Sequence, residues 1–229
     1  PHYGVRIAPA RARTARTAGG DAVDVTERDA LIAVDIQVDF LEGGALGVAE
    51  GSRILPIVNR LMPLFRHVAL TRDWHPPDHL SFTENPAYRD RSWPAHCVQG
   101  TPGAGFAPGL LIPTHAFTVS KGTHVDREEY SSFQAMEADL TGWLRARGVV
   151  RVFLAGLATD YCVRFTALDA ARQGFQVCVI EDAVRGVAPQ TVEEAWHEMG
   201  AAGVRRIHSR ELLHGPAGAR SDAMPAGVD

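Results

Sequence analysis

Six short strand-like runs, most of them rich in apolar and β-branched residues, punctuate this chain. They are Ala30 to Ile36, His67 to Thr71, Ala116 to Ser120, Val149 to Leu154, Phe175 to Ile180 and Val204 to Ile207. Continuous apolar runs of this length are the pattern of strands buried on both faces of a parallel sheet. Helical periodicity fills the gaps, over Ser52 to Phe65, Met136 to Arg147 (closed by Gly148), Tyr161 to Gln173 and about Pro189 to Ala202. Pro56 falls in the first turn of its helix, where it is tolerated, and Pro63 should end or kink it. Alternation of this kind predicts an α/β fold: a three-layer, doubly wound, mainly parallel six-stranded sheet with helices on both faces.

Length and charge narrow the partners. With 229 residues, 45% of them hydrophobic, the chain can bury a sizeable core, and we expect one domain over residues 29–213. A net charge of −4 with interspersed signs gives no basic face for nucleic acid. No run of 18 apolar residues is present to span a membrane. Three cysteines make no disulfide framework or paired zinc motif, which points to reduced thiols and a cytoplasmic protein. Residues 1–28, with Arg6, Arg11, Arg13 and Arg16 and no acid before Asp21, read as a flexible extension. A transit peptide and an upstream start both fit it. Residues 214–229, rich in Gly, Ala and Pro, read as a flexible tail.

In parallel sheets ligands bind beyond the carboxyl ends of the strands, so the residues there decide what the fold can do. Asp35 closes the first run, Asp73 and His75 follow the second, Lys121 the third, and Cys162 the fourth. Thr159 and Asp160 are good N-cap residues, which would put Cys162 in the first turn of a helix. Unpaired N–H groups and the helix dipole there favour the reactive thiolate. Each residue alone has a dull reading: a packed thiol, a capping acid, a solvated lysine. Convergence on one rim argues for chemistry.

The metal signal is Asp73-x-His75-x-x-x-His79, with His96 arriving later in Trp93-Pro94-Ala95-His96-Cys97. In an extended segment Asp73 and His75 point the same way. Pro76-Pro77 can turn His79 back toward them. One carboxylate and up to three imidazoles suit one divalent ion, zinc first, with iron or manganese also fitting. Cys97 is expected to point into the packed loop and Cys178 into the core. His67, His115, His124, His197, His208 and His214 show no partner spacing.

These pieces resemble a family. Val34-Asp35-Ile36-Gln37-Val38-Asp39-Phe40, Asp73-Trp74-His75-Pro76-Pro77-Asp78-His79, Trp93-Pro94-Ala95-His96-Cys97, Ser120-Lys121-Gly122 and Gly156-Leu157-Ala158-Thr159-Asp160-Tyr161-Cys162-Val163 resemble the nicotinamidases (pyrazinamidases) among the isochorismatase-like cysteine hydrolases. The likeness spans about Asp29 to Leu213 and implies the isochorismatase-like hydrolase fold. It implies a triad of Asp35, Lys121 and nucleophilic Cys162, and metal ligands Asp73, His75 and His96, with His79 as a further candidate. It implies an oxyanion hole from the N–H groups of Ala158 and Cys162, and a cis peptide between Leu157 and Ala158. Phe40, Trp93, Tyr130, Leu157 and Ala158 would line the substrate, although core packing explains Tyr130 as readily. Gln37 would hold a metal-bound water, and Asp39 would brace either its loop or Lys121.

The activity so implied is hydrolysis of nicotinamide, and of pyrazinamide, through a thioester, by an enzyme able to form homo-oligomers. Two alternatives are a related hydrolase acting on carbamoyl or ureido amides, or on the vinyl ether of isochorismate, and a non-enzymatic α/β binding module. The Asp/His/His set and the intact Asp35, Lys121 and Cys162 argue against both.

Overall fold

The computed structural model describes residues 22–213. Six parallel strands, β1 (Asp29–Val34), β2 (His67–Asp73), β3 (Phe117–Lys121), β4 (Arg151–Leu157), β5 (Gln176–Arg185) and β6 (Arg205–Ile207), lie in the order β3-β2-β1-β4-β5-β6. The helices are α1 (Leu55–Leu61), α2 (Leu140–Ala146), α3 (Arg164–Arg172), α4 (Pro189–Ala201) and α5 (Arg210–Leu213).

Strand alternation splits the core in two. Leu31, Ala33, Val68, Leu70, Phe153 and Ile180 pack on one face with Val58 and Leu61 of α1 and Leu212 of α5. Ala30, Ile32, Val34, Ala69, Val152 and Val179 pack on the other with Leu144 of α2, Ala167 of α3 and Met199 of α4. This is the three-layer architecture read from the sequence, and the sheet is wholly parallel. Strand order reverses between β1 and β4, so the crevice for a ligand opens beyond Val34 and Leu157.

Several boundaries differ from expectation, each for a local reason. The helix over Ser52 to Phe65 is broken into a 3-10 turn (Gly51–Ile54), α1, and a second 3-10 turn (Met62–Leu64) containing Pro63. Ser52 does not cap it; its hydroxyl and N–H bind Glu42. Helix α2 starts only at Leu140, because the Asp139 carboxylate accepts from Gly142 N at 2.7 Å and caps it there. Strand β5 runs on to Arg185 past Glu181 and Asp182. Those acids interrupt the apolar pattern but find partners in Arg206 and Ser209. Residues 22–28, read as part of the extension, pack on the domain: Val23 is buried and donates to Glu211 O, and Asp24 O accepts from Arg151. The rest of the expected extension, and the tail 214–229, lie outside the described residues.

Candidate active site

Strand β1 ends in a sharp turn at Asp35, whose φ of 47° lies in the left-handed region that Asp tolerates better than most residues. Thr71 of β2 fixes it, with its carbonyl accepting from Asp35 N at 3.1 Å and its hydroxyl donating to Oδ1 at 2.6 Å. Lys121 ends β3 in register with Asp73 at the end of β2. Its ammonium lies 2.9 Å from Asp35 Oδ2 and 3.4 Å from Cys162 Sγ, and also donates to Asp73 Oδ1. Lys121 and Asp35 are fully buried, and Cys162 nearly so.

Electrostatics follow from that enclosure. Burial works against the charge on Lys121, but Asp35 and Asp73 outweigh it and hold the ammonium well above the usual lysine range. Burial also opposes ionisation of Asp73, yet Lys121 and His75 keep it well below the carboxylate range. At Asp35 burial wins over Lys121, and the carboxyl is raised. Burial pushes the Cys162 thiol well up; Lys121 opposes this, while Asp35 and Asp73 add to it.

Burial thus works against the thiolate that the helix N-terminus favours, and Lys121 works in its favour. Cys162 does sit in the first turn, a π-type turn over Thr159–Val163 leading into α3. That turn has no side-chain cap. Asp160 instead accepts from Val187 N, Ala188 N and the Thr191 hydroxyl, tying the thiol's turn to the start of α4. Ligand-capable atoms of Asp35, Asp73 and Cys162 lie within 4.8 Å of one another.

A second group shares Asp73. Single ligand atoms of Asp73, His75 and His96, all buried, also lie within 4.8 Å of each other. His75 N donates to Cys97 O and Gln99 N to His75 O, a short bridge that sets the two histidine segments side by side. His75 Nδ1 meets Gly122 O at 2.9 Å and His96 Nδ1 meets Pro94 O at 2.8 Å. Both Nε2 atoms are left toward Asp73 Oδ2, at 3.5 and 3.9 Å.

Burial, then Asp73, act in opposite senses on His75 and leave it raised; burial and His75 lower His96 to about 4. A neutral imidazole, a carboxylate and a carbonyl-anchored second imidazole make a donor set that fits a divalent transition ion. His79 does not join this group. Its ring lies 4.2 Å from that of His75, but Nδ1 meets Ser81 Oγ at 2.7 Å and Nε2 meets Arg127 O at 2.9 Å.

A pocket opens over both groups, with Asp73, His96, Ala158 and Cys162 at its base and Phe40, Trp93, Tyr130 and Tyr161 as aromatic walls. Tyr130 lines it while also stacking on Phe165, so the wall and packing readings both hold. Leu157 does not line it: its side chain is wholly buried in the core, near Gly51. The peptide between Leu157 and Ala158 is cis. Sequence reasoning missed Leu46, Val48, Tyr161 and Val187 in the lining. Tyr161, beside the thiol inside the motif, carried a usable signal; the others carried none.

Gln37 bridges two loops to the end of β2: its amide donates to Asp73 O and Ala104 O and accepts from Asp73 N. Asp39 braces its loop: its carboxylate accepts from Ala45 N and from Cys97 N, next to His96. Two glycines make room. A Cβ on Gly156 would stand 1.9 Å from Val34 O, and one on Gly122 would stand 2.4 Å from the His75 ring.

Fold and clusters together define a parallel α/β protein with a buried thiol, ammonium and carboxylate gathered at its topological switch point. The chain belongs to the isochorismatase family: the Isochorismatase domain model matches residues 29–211. It is 41% identical to the nicotinamidase of Acinetobacter baylyi over 203 residues, 80% of this chain and 94% of that one. It is similar to the zinc complex of Pyrococcus horikoshii pyrazinamidase, with 45% identity and a TM-score of 0.71, covering 79% of this chain and 99% of that one. It also resembles PnC1 from L. infantum in complex with nicotinate, at 38% identity and a TM-score of 0.75 over 83% and 98% of the two chains.

Proposed function

We propose that this chain is a nicotinamidase, hydrolysing nicotinamide to nicotinate and ammonia, with pyrazinamide as a further substrate. The observation that carries this reading is Lys121 Nζ seated between Asp35 and the Cys162 sulfur at 2.9 and 3.4 Å, with Cys162 itself lining an aromatic pocket. Asp35 takes the Cys162 proton as the sulfur attacks the carboxamide carbon, so the charge never stands free in the buried site. Lys121 holds both partners by ion pairing. The backbone N–H groups of Ala158 and Cys162 receive the developing oxyanion, and losing one such donor typically costs about 3–4 kcal/mol. Protonated Asp35 then passes its proton to the departing ammonia, and as a base it activates the water that opens the thioester.

Asp73, His75 and His96 are the residues we assign to one divalent ion, zinc before iron or manganese. When bound, the ion supplies a Lewis-acidic position for the substrate's ring nitrogen. The chain's own part there is orientation: aromatic walls and fixed imidazoles hold the ring so that the amide faces the sulfur. The protein is assigned to the cytoplasm on its free thiols; among the described residues no helix is long and apolar enough to cross a membrane.

Release of ammonia from nicotinamide by the purified protein, with and without a chelator, tests the reading. Turnover that chelation abolishes and zinc restores supports it. No release from nicotinamide, with turnover of a carbamoyl amide instead, overturns it in favour of the related amidohydrolases.

A further inference from the structure

The indole of Trp93 walls the pocket, and one polar contact fixes its edge: Nε1 donates to Tyr130 Oη at 3.0 Å. The Tyr130 hydroxyl in turn donates to Asp90 Oδ1 at 2.9 Å. Chemistry sets the direction of this chain. An indole N–H can only donate and an ionised carboxylate can only accept, so the phenol oxygen takes one hydrogen bond and gives the other. Burial, with Glu128 nearby, pushes the Tyr130 phenol well above its usual range, so its proton is present to be given.

Asp90 and Trp93 belong to one tight loop. Tyr88 N donates to Ser92 O, Ser92 N to Arg89 O, and Ala87 N to Ser92 Oγ. Tyr88 and Arg91 hold left-handed φ values of 52° and 56°, a conformation such residues adopt only where surrounding contacts enforce it. Tyr130 comes from a different loop, after β3, and its ring is held by stacking on Phe165 at 5.2 Å. One hydroxyl therefore fastens both ends of the 90–93 turn to the opposite wall.

We propose that Asp90 is a positioning residue for substrate recognition: through Tyr130 it closes a three-member clasp that fixes the Trp93 indole against the ring of the bound amide. Asp90 touches neither the reacting groups nor the metal-type cluster. Its influence should fall on KM and leave kcat alone.

The proposal rests on the nicotinamidase reading, so its test has two readouts. Steady-state kinetics with nicotinamide are measured for the wild type, Asp90→Ala, Asp90→Asn and Tyr130→Phe. The indole N–H of Trp93 is followed by NMR on 15N-tryptophan-labelled protein, its signal assigned by its loss in Trp93→Phe. Asp90→Ala should raise KM about 3–10-fold, the worth of one net hydrogen bond, with kcat unchanged and a shifted, faster-exchanging Trp93 signal. Asp90→Asn keeps the acceptor oxygen and should restore both. Tyr130→Phe keeps the stacked ring but breaks both links, and should match or exceed Asp90→Ala. Unchanged KM and indole signal in Asp90→Ala, a fall in kcat instead, or equal damage from Asp90→Ala and Asp90→Asn would each overturn it. If the wild type does not turn over nicotinamide, the functional reading fails, and the indole signal alone still decides whether Asp90 holds Trp93.

Discussion

Across the pocket, two walls are held by different means. The reacting side stands on strand ends: Asp35 after β1, Asp73 and Lys121 closing β2 and β3 in register, and Cys162 in the turn after β4. Its positions are set by the backbone ladder of a sheet buried on both faces. The recognition side stands on loops, where Trp93 and Tyr130 are placed by side-chain hydrogen bonds and stacking, and Val187 by its N–H on the Asp160 carboxylate. Breaking the first should remove chemistry, and breaking the second should loosen binding. The strongest test of that division is Cys162→Ala. It should lower kcat by about 10⁴-fold or more while nicotinamide binding stays measurable by calorimetry. Substantial residual turnover would remove the sulfur from the reaction.

Next in size is His75→Ala, which sits where the two sides meet. Outer-shell partners of a metal ligand are commonly worth about 10–100-fold in affinity, and loss of a ligand should exceed that. Bound metal measured by elemental analysis should fall, and KM should rise far more than kcat falls. Metal content equal to wild type would take His75 out of the ligand set.

A pH profile sharpens the comparison further. Asp35 must be ionised to accept the thiol proton, and burial raises its carboxyl. Activity is therefore retained above the folded value and lost as pH falls through it. The acid limb of kcat/KM should have its midpoint above the ordinary aspartate value of about 4. A limb at or below that value would mean that another group takes the proton.

The same division explains what could be read from the chain. Continuous apolar runs mark buried strands, and polar residues at or just beyond their carboxyl ends can land on the rim, so the positions of Asp35, Asp73 and Lys121 were legible from local pattern alone. Cys162 was legible by position, but not in its electrostatic setting. Burial first, and then Asp35 and Asp73 from more than eighty residues earlier in the chain, push its thiol up, and a helix-end argument does not see either. Loop residues carry no such periodicity. Gln37 and Asp39 were visible as polar residues in a motif, yet their partners are backbone groups of distant segments, Asp73, Ala104 and Cys97. The cap assigned to Asp160 failed for the same reason: its carboxylate serves α4, not its own helix.

His79 gives the smallest expected effect and the sharpest distinction. By spacing it belongs with the metal group, and its ring lies beside that of His75. By hydrogen bonding it belongs with the loops, since Ser81 occupies one nitrogen and the Arg127 carbonyl the other. A carbonyl accepts only from a protonated nitrogen, so Nε2–H is not a lone pair free to ligate. Burial and the neighbouring His75 both lower its pKa, which keeps the ring neutral, with Nδ1 as the acceptor toward Ser81. His79→Gln, which can keep a donor toward Arg127, should leave metal stoichiometry unchanged and cost at most about 1–3 kcal/mol of stability from the part-buried contacts. Metal loss comparable to that in His75→Ala would show that the ring turns to ligate once the ion is present, and would move His79 from the loop side of the molecule to the strand-end side.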